Sequence, residues 1–101
     1  MSQTTLLSPQ TAGATVTEDT GAYQYVTFSA PGLANAETCS VSVLVPDGQT
    51  AVAARDVNGT ATGLTASNPV RTFFGGPTYQ LVLSSTAGNC GLYADFGGRV
   101  V

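Results

Sequence analysis

The sequence predicts an all-β protein, a single antiparallel β-sandwich of jelly-roll type that carries an extended N-terminal arm. Short runs of β-branched and aromatic residues alternate with small polar residues, which is typical of half-buried strands. Gly, Pro, Asn and Asp separate these runs at intervals of about 8–12 residues, as in sandwiches. Apolar residues do not recur at helical spacing, and a chain of 101 residues is the size of one domain.

The predicted sandwich comprises residues 21–101. In residues 23–30, Val26 and Phe28 share one face, and in residues 38–45, Cys39 shares a face with alternating valines. We expect these faces to line the core, because successive side chains of a strand point to opposite sides of the sheet. Further strands are predicted at residues 50–57, 69–74, 78–84 and 91–96, with a Pro-Asp-Gly turn at residues 46–49.

The predicted arm comprises residues 1–20, which are rich in Thr, Ser, Ala and Gly. One short strand is expected near residues 14–17. A segment this polar buries too little apolar surface to fold alone. We therefore expect the arm either to be mobile or to become ordered on a partner, with Leu6 and Leu7 as its apolar contacts.

The composition excludes several classes of function. The chain has no His and no Lys, and its net charge is −3. A His-based catalytic triad and a His-ligated metal are excluded, so we expect no catalytic residue, no metal, no cofactor and no enzymatic activity. Scattered acidic residues repel phosphate groups, so neither nucleic acid nor a membrane surface is an expected partner.

The two cysteines, Cys39 and Cys90, lie about fifty residues apart. A disulfide that closes a loop of this length would stabilise the fold by roughly 3–4 kcal/mol. Two buried free thiols are an equally good interpretation, because one pair of cysteines does not make a disulfide-rich scaffold.

Candidate interface residues come from exposed positions on the predicted strands. Tyr23 and Tyr25 lie two apart, and this pair could stack on sugar rings, pack against a neighbouring subunit or pair across strands. Arg71 and Phe73 share a face that we predict to be exposed, and Arg and aromatic residues are enriched at interface centres. The candidates are Leu6, Leu7, Tyr23, Tyr25, Arg71 and Phe73.

Four segments within residues 26–96 carry a further pattern of turns and strands: residues 45–50, 69–73, 76–84 and 91–94. In these segments the chain resembles the small virion proteins of tailed bacteriophages that act as capsid decoration (cement) proteins. The resemblance implies a sandwich or jelly-roll fold, no enzymatic activity, and homo-oligomers on the outside of the capsid, with a trimer favoured over a dimer. It implies the major capsid protein as the partner.

We therefore expect a structural virion protein that binds and stabilises the major capsid shell. The alternative is a virion spike, fibre or carbohydrate-binding module that uses Tyr23 and Tyr25. The N-terminus shows no basic start followed by an apolar run, so we expect synthesis in the host cytoplasm and a location on the outer capsid surface.

Overall fold

The computed structural model describes residues 2–45, 50–59 and 63–99, so the turn predicted at residues 46–49 lies outside the described residues. The described residues form nine strands. These strands are β1 (Ser2–Gln10), β2 (Ala14–Asp19), β3 (Tyr23–Ser29), β4 (Thr38–Leu44), β5 (Ala51–Ala53), β6 (Leu64–Thr65), β7 (Val70–Phe74), β8 (Thr78–Leu83) and β9 (Cys90–Arg99).

The strands form two sheets in which every pairing is antiparallel. Sheet I has the strand order β1-β9-β3-β7. Sheet II has the order β2-β8-β4-β5, and β6 also pairs with β4. The prediction of an all-β antiparallel sandwich is confirmed. The described part of the chain contains no helix that is long and apolar enough to cross a membrane.

Alternating residues of both sheets build the core. Val26 and Phe28 from sheet I and Leu81 from sheet II are fully buried, as are Leu92 and Ala94 of β9. Polar neighbours in the same strands point outward because the side-chain period of a strand is two. The alternation of apolar and polar residues along the strands therefore gives each sheet an inner apolar face and a more polar outer face.

An aromatic cluster joins the two sheets at the centre of the core. The ring of Tyr79 from β8 lies 5.5 Å from that of Phe28 and 5.6 Å from that of Phe73, measured between centroids. The Tyr79 hydroxyl donates a hydrogen bond of 2.5 Å to the carbonyl of Phe74 in the opposite sheet. Burial raises the pKa of Tyr79, so the hydroxyl remains a neutral donor.

The expectation that residues 1–20 form an arm that is mobile or becomes ordered on a partner is wrong for the strands within residues 2–19. β1 pairs with β9 in sheet I, and β2 pairs with β8 in sheet II. The segment could not bury itself alone, but the backbone edges of β8 and β9 supply the hydrogen-bond partners it lacks. Pairing with strands of the same domain therefore orders this segment, whereas we expected a partner molecule to do so.

Leu6 and Leu7 also differ from their expected role as arm contacts, because both pack against the core of their own domain. The register of β1 shifts by one residue between Thr5 and Leu7, which marks a β-bulge. An extra residue on the bulged strand changes the alternation of side chains. Adjacent leucines can therefore both reach the core.

If β1 is an integral strand, Leu7→Ala will lower the free energy of unfolding by about 2 kcal/mol, the low end for a leucine truncation because Leu7 is only half-buried. Val82→Ala, at an exposed site on β8, is the control and should change it by less than about 0.5 kcal/mol. Chemical denaturation followed by circular dichroism measures both. Equal stability of the Leu7 variant and the native protein would contradict the assignment, as would a cooperative transition after deletion of residues 2–10.

Candidate interaction surface

The outward side of sheet I is the surface best built for contact with another molecule, and we call it the outer face. Its side chains are set by the register of β1, β9, β3 and β7, which aligns outward-pointing residues in rows across the strands. The three rows are Gly97–Tyr25–Phe74, Gln3–Asp95–Thr27–Thr72 and Thr5–Tyr93–Ser29–Val70.

Exposed apolar groups lie at two corners of the outer face. Phe74 and Val70 are each 55% exposed, and Tyr25 is 46% exposed. The rings of Tyr25 and Phe74 pair across the strands with 6.0 Å between centroids. Large aromatic groups left in water are costly unless a partner covers them, so this end of the face is suited to binding.

Hydroxyl groups and one carboxylate occupy the middle of the outer face. The hydroxyl oxygens of Thr27 and Thr72 lie 2.9 Å apart and share a hydrogen bond. Beside them, Asp95 Oδ1 is buried and has no hydrogen-bond partner within the described part of the chain. A buried carboxylate oxygen without a donor is unfavourable, so a donor supplied by a bound partner would be favoured at this point.

The outward side of sheet II is more polar. Its β2 side chains Thr15, Thr17 and Asp19 are exposed, and β4 contributes Ser40. Val82, 42% exposed, and Leu44, which is partly buried, are the large apolar side chains on this side within the described residues. The aromatic platform is therefore specific to sheet I.

This fold is shared with a prophage protein. The structure is similar to that of the SPBc2 prophage-derived protein YomS, with a TM-score of 0.69 over 92% of this chain and 88% of that chain. The two sequences are 14% identical, so the likeness shows the fold. The sequence matches no family model and no curated protein.

Tyr25 and Tyr23 have different surroundings in the structure. Tyr25 lies on the outer face, where sequence analysis placed it. Tyr23 instead stacks on Phe96, with 4.7 Å between ring centroids, and packs against the core. The two tyrosines therefore do not form one exposed pair, and the aromatic partner of Tyr25 is Phe74, which the sequence pattern did not single out.

Arg71 and Phe73 share a face as predicted, but that face points inward. Phe73 is fully buried in the aromatic cluster, so it is not available as a surface contact. Arg71 forms an ion pair of 3.0 Å with Asp56 and donates through Nε to the carbonyl of Gly63. The outward residues of β7 are Val70, Thr72 and Phe74. The alternation of side chains along β7 correctly separates Arg71 and Phe73 from the other three residues. It does not show which set faces the core, because each set contains a phenylalanine.

Cys39 and Cys90 are free thiols, both fully buried. They belong to opposite sheets, and burial together with the nearby Cys90 raises the pKa of Cys39 to about 12. Such a thiol is unreactive at neutral pH because almost none of it is thiolate. Among the residues that the structure describes, no three His, Cys, Asp or Glu side chains converge to hold a metal ion.

The inward placement of Arg71 predicts that it acts on stability. Its side chain is 14% exposed and that of Asp56 is 3% exposed, so Arg71→Ala leaves a buried carboxylate without its cation. We expect a loss of about 3 kcal/mol in the free energy of unfolding. Arg55→Ala, at an exposed site, is the matched control and should cost less than about 0.5 kcal/mol. Equal stability of the two variants would contradict this role.

The thiols give a further prediction. In native buffer at pH 8 we expect neither cysteine to react with a thiol reagent within minutes, because a pKa of about 12 leaves about one thiolate in ten thousand at Cys39. In denaturant both should react at once. Mass spectrometry of the labelled protein counts the modified sites, and rapid native labelling would show that the core opens locally.

Proposed function

We propose that this protein is a structural component of a bacteriophage virion, a decoration protein that binds the major capsid shell from outside and associates with itself. In this proposal the outer face of sheet I docks on the shell and no residue is catalytic. The carrying observation is the outer face itself, where exposed aromatic and aliphatic groups at two corners lie beside uncharged hydroxyl groups. The prophage origin of YomS, which has the same fold, supports a phage protein.

The chemistry of the outer face supports protein binding. Tyr25, Phe74 and Val70 offer apolar area that is exposed in the isolated chain. Aromatic anchors of this kind carry most of the binding energy in protein interfaces. Thr27, Thr72 and Tyr93 supply hydroxyl groups that lose little on desolvation compared with charges. A weakly charged face with a few exposed aromatic groups matches a shell of repeated subunits, where many copies of a modest contact add up.

Asp95 supports a directional contact at the same place. Its Oδ1 atom is buried between β1 and β3 in the middle row of the outer face. A rotation of the Asp95 side chain would bring this oxygen to the surface, where an Arg or a backbone N–H of the shell would form a charge-assisted hydrogen bond with it. In this arrangement Tyr25 and Phe74 contribute most of the affinity, and Asp95 fixes the position of the partner on the outer face.

Carbohydrate binding is the second candidate, and the pairing of Tyr25 with Phe74 favours it. Their rings are tilted by 37°, and exposed aromatic rings are able to stack on sugars. The two functions differ in copy number. A decoration protein is present in hundreds of copies per particle, whereas a spike or fibre tip is present in few.

Quantitative mass spectrometry of purified particles, from a phage or induced prophage that encodes this chain, separates these functions. We expect hundreds of copies relative to a major capsid protein of known stoichiometry. A few copies per particle would favour the spike or fibre function, and absence from the particle would refute the virion function altogether.

A binding experiment tests the face. Shells that lack the protein are mixed with purified chain and sedimented, and Tyr25→Ser with Phe74→Ser is compared with Val82→Ser on sheet II. We expect the double variant to bind at least about 100-fold more weakly, because each aromatic anchor contributes about 2 kcal/mol or more. Val82→Ser should bind within about twofold of the native chain. Equal binding by the double variant would place the contact elsewhere.

A further inference from the structure

Two open sheets leave four edges, formed by β1 and by β7 in sheet I, and by β2 and by β5 together with β6 in sheet II. An edge strand presents unpaired N–H and C=O groups, which makes it a template for pairing with another chain. Proteins usually block such edges with charge, covering segments or short length. Three of the four edges here are blocked in these ways.

Charge blocks β2. Glu18 is in register with Tyr79, which is buried, so Glu18 lies on the core-facing side of this edge. Partial burial, and then the charge of Asp19, raise the pKa of Glu18. An incoming strand would bury this carboxylate further, and that cost opposes pairing.

The edges of β7 and β5 are blocked by other means. The Val57 N–H donates a hydrogen bond of 2.9 Å to the Thr72 carbonyl, from a segment that is not part of the sheet. Arg71 holds the same segment through Asp56. β5 has three residues, Ala51–Ala53, and β6 on the same edge has two. Very short edge strands are one of the means by which proteins limit edge pairing.

β1 differs from the other edges. It has nine residues, and no charged residue occurs before Glu18. Within the described part of the chain its strand pairing is with β9 on one side. Its register shifts and Pro9, which are features that oppose edge pairing, lie beyond Thr5, so residues 2–5 form a regular stretch of strand with an open outer edge.

We propose that β1 is a self-association site, at which it pairs antiparallel with β1 of a second copy across a two-fold axis. The two-fold axis places identical edges antiparallel, which is the same type of pairing that β1 makes with β9. The contact brings together two uncharged segments, so the net charge of −3 on each copy is not concentrated there. A second copy therefore fits this edge without a charge to neutralise.

The dimer has a consequence for binding. Pairing through β1 joins two four-stranded sheets into one continuous sheet, which brings the two outer faces side by side. Two linked faces bind a repeated surface more tightly than one, without any new contact. This step rests on the proposed function, whereas the dimer itself does not. A two-fold pairing gives a dimer in place of the trimer that the resemblance favours.

Sedimentation equilibrium of the isolated chain tests the proposal without any capsid. We expect the mass to rise from 10.2 kDa towards twice that value, with a dissociation constant of the order of micromolar for so small an interface. A chain that remains monomeric up to about 200 µM would overturn the proposal. The proposed virion function would still be tested separately, by the number of copies of the chain in purified particles.

Matched lysine variants locate the contact. Thr4→Lys with Thr5→Lys on β1 is compared with Thr15→Lys with Thr17→Lys on β2. All four threonines are exposed on edge strands, and each pair changes the net charge from −3 to −1. We expect the β1 pair to raise the dissociation constant at least about tenfold, since like charges would meet across the two-fold axis. The β2 pair should change it less than about twofold.

Equal effects of the two pairs, or an unchanged dimer in the β1 variant, would overturn the proposal. Hydrogen exchange of the native chain gives a readout that needs no variant. The amides of residues 2–5 should become more protected as the concentration rises, whereas those of β2 should not change. Protection that is independent of concentration at β1 would also overturn it.

Discussion

The contact of Tyr79 with Phe28, Phe73 and the Phe74 carbonyl is the interaction on which the rest of the structure depends. It is where the two sheets meet, because a side chain of sheet II hydrogen-bonds to the backbone of sheet I. The bond holds β7 with Phe73 inward. Since alternate residues face opposite ways, Phe74 is then fixed outward. The aromatic corner of the outer face is thus a direct consequence of how the core is closed.

The edges of the sheets impose a second constraint. A weakly charged chain has few side chains with which to prevent edge pairing. Here the acidic residues of β2 and the ion pair of Arg71 with Asp56 lie beside edges, and β1 is left without charge. Because the chain has so few charged residues, their positions leave the β1 edge uncharged, whereas the β2 and β7 edges have charged residues beside them. The proposed capsid partner binds the side chains of the outer face, whereas the proposed second copy binds the backbone at the β1 edge. The two contacts therefore do not compete.

The N-terminal segment shows how local and tertiary effects divide. The composition of residues 1–20 led us to expect a segment too polar to fold by itself. Their ordering came from the edges of β8 and β9, which lie far away in sequence. Sequence pattern does not show which distant backbone will supply hydrogen bonds. The bulge that turns both Leu6 and Leu7 towards the core is likewise a product of that pairing.

The sequence by itself determined the fold class, the position of most strands and the inward set of β3, β4, β8 and β9. In those strands most of the large apolar residues share one parity, and that set is the buried one. The large apolar residues of opposite parity are Tyr23, Tyr25, Leu44, Val82 and Tyr93. Only the tertiary structure decided the orientation of β7, where Phe73 and Phe74 give both parities an aromatic ring. It also decided that Tyr23 stacks on Phe96 while Tyr25 remains exposed, and that the cysteines are buried thiols. The physical reason is that the alternation of side chains along a strand fixes which residues share a face, whereas the packing of one sheet on the other fixes which face is buried.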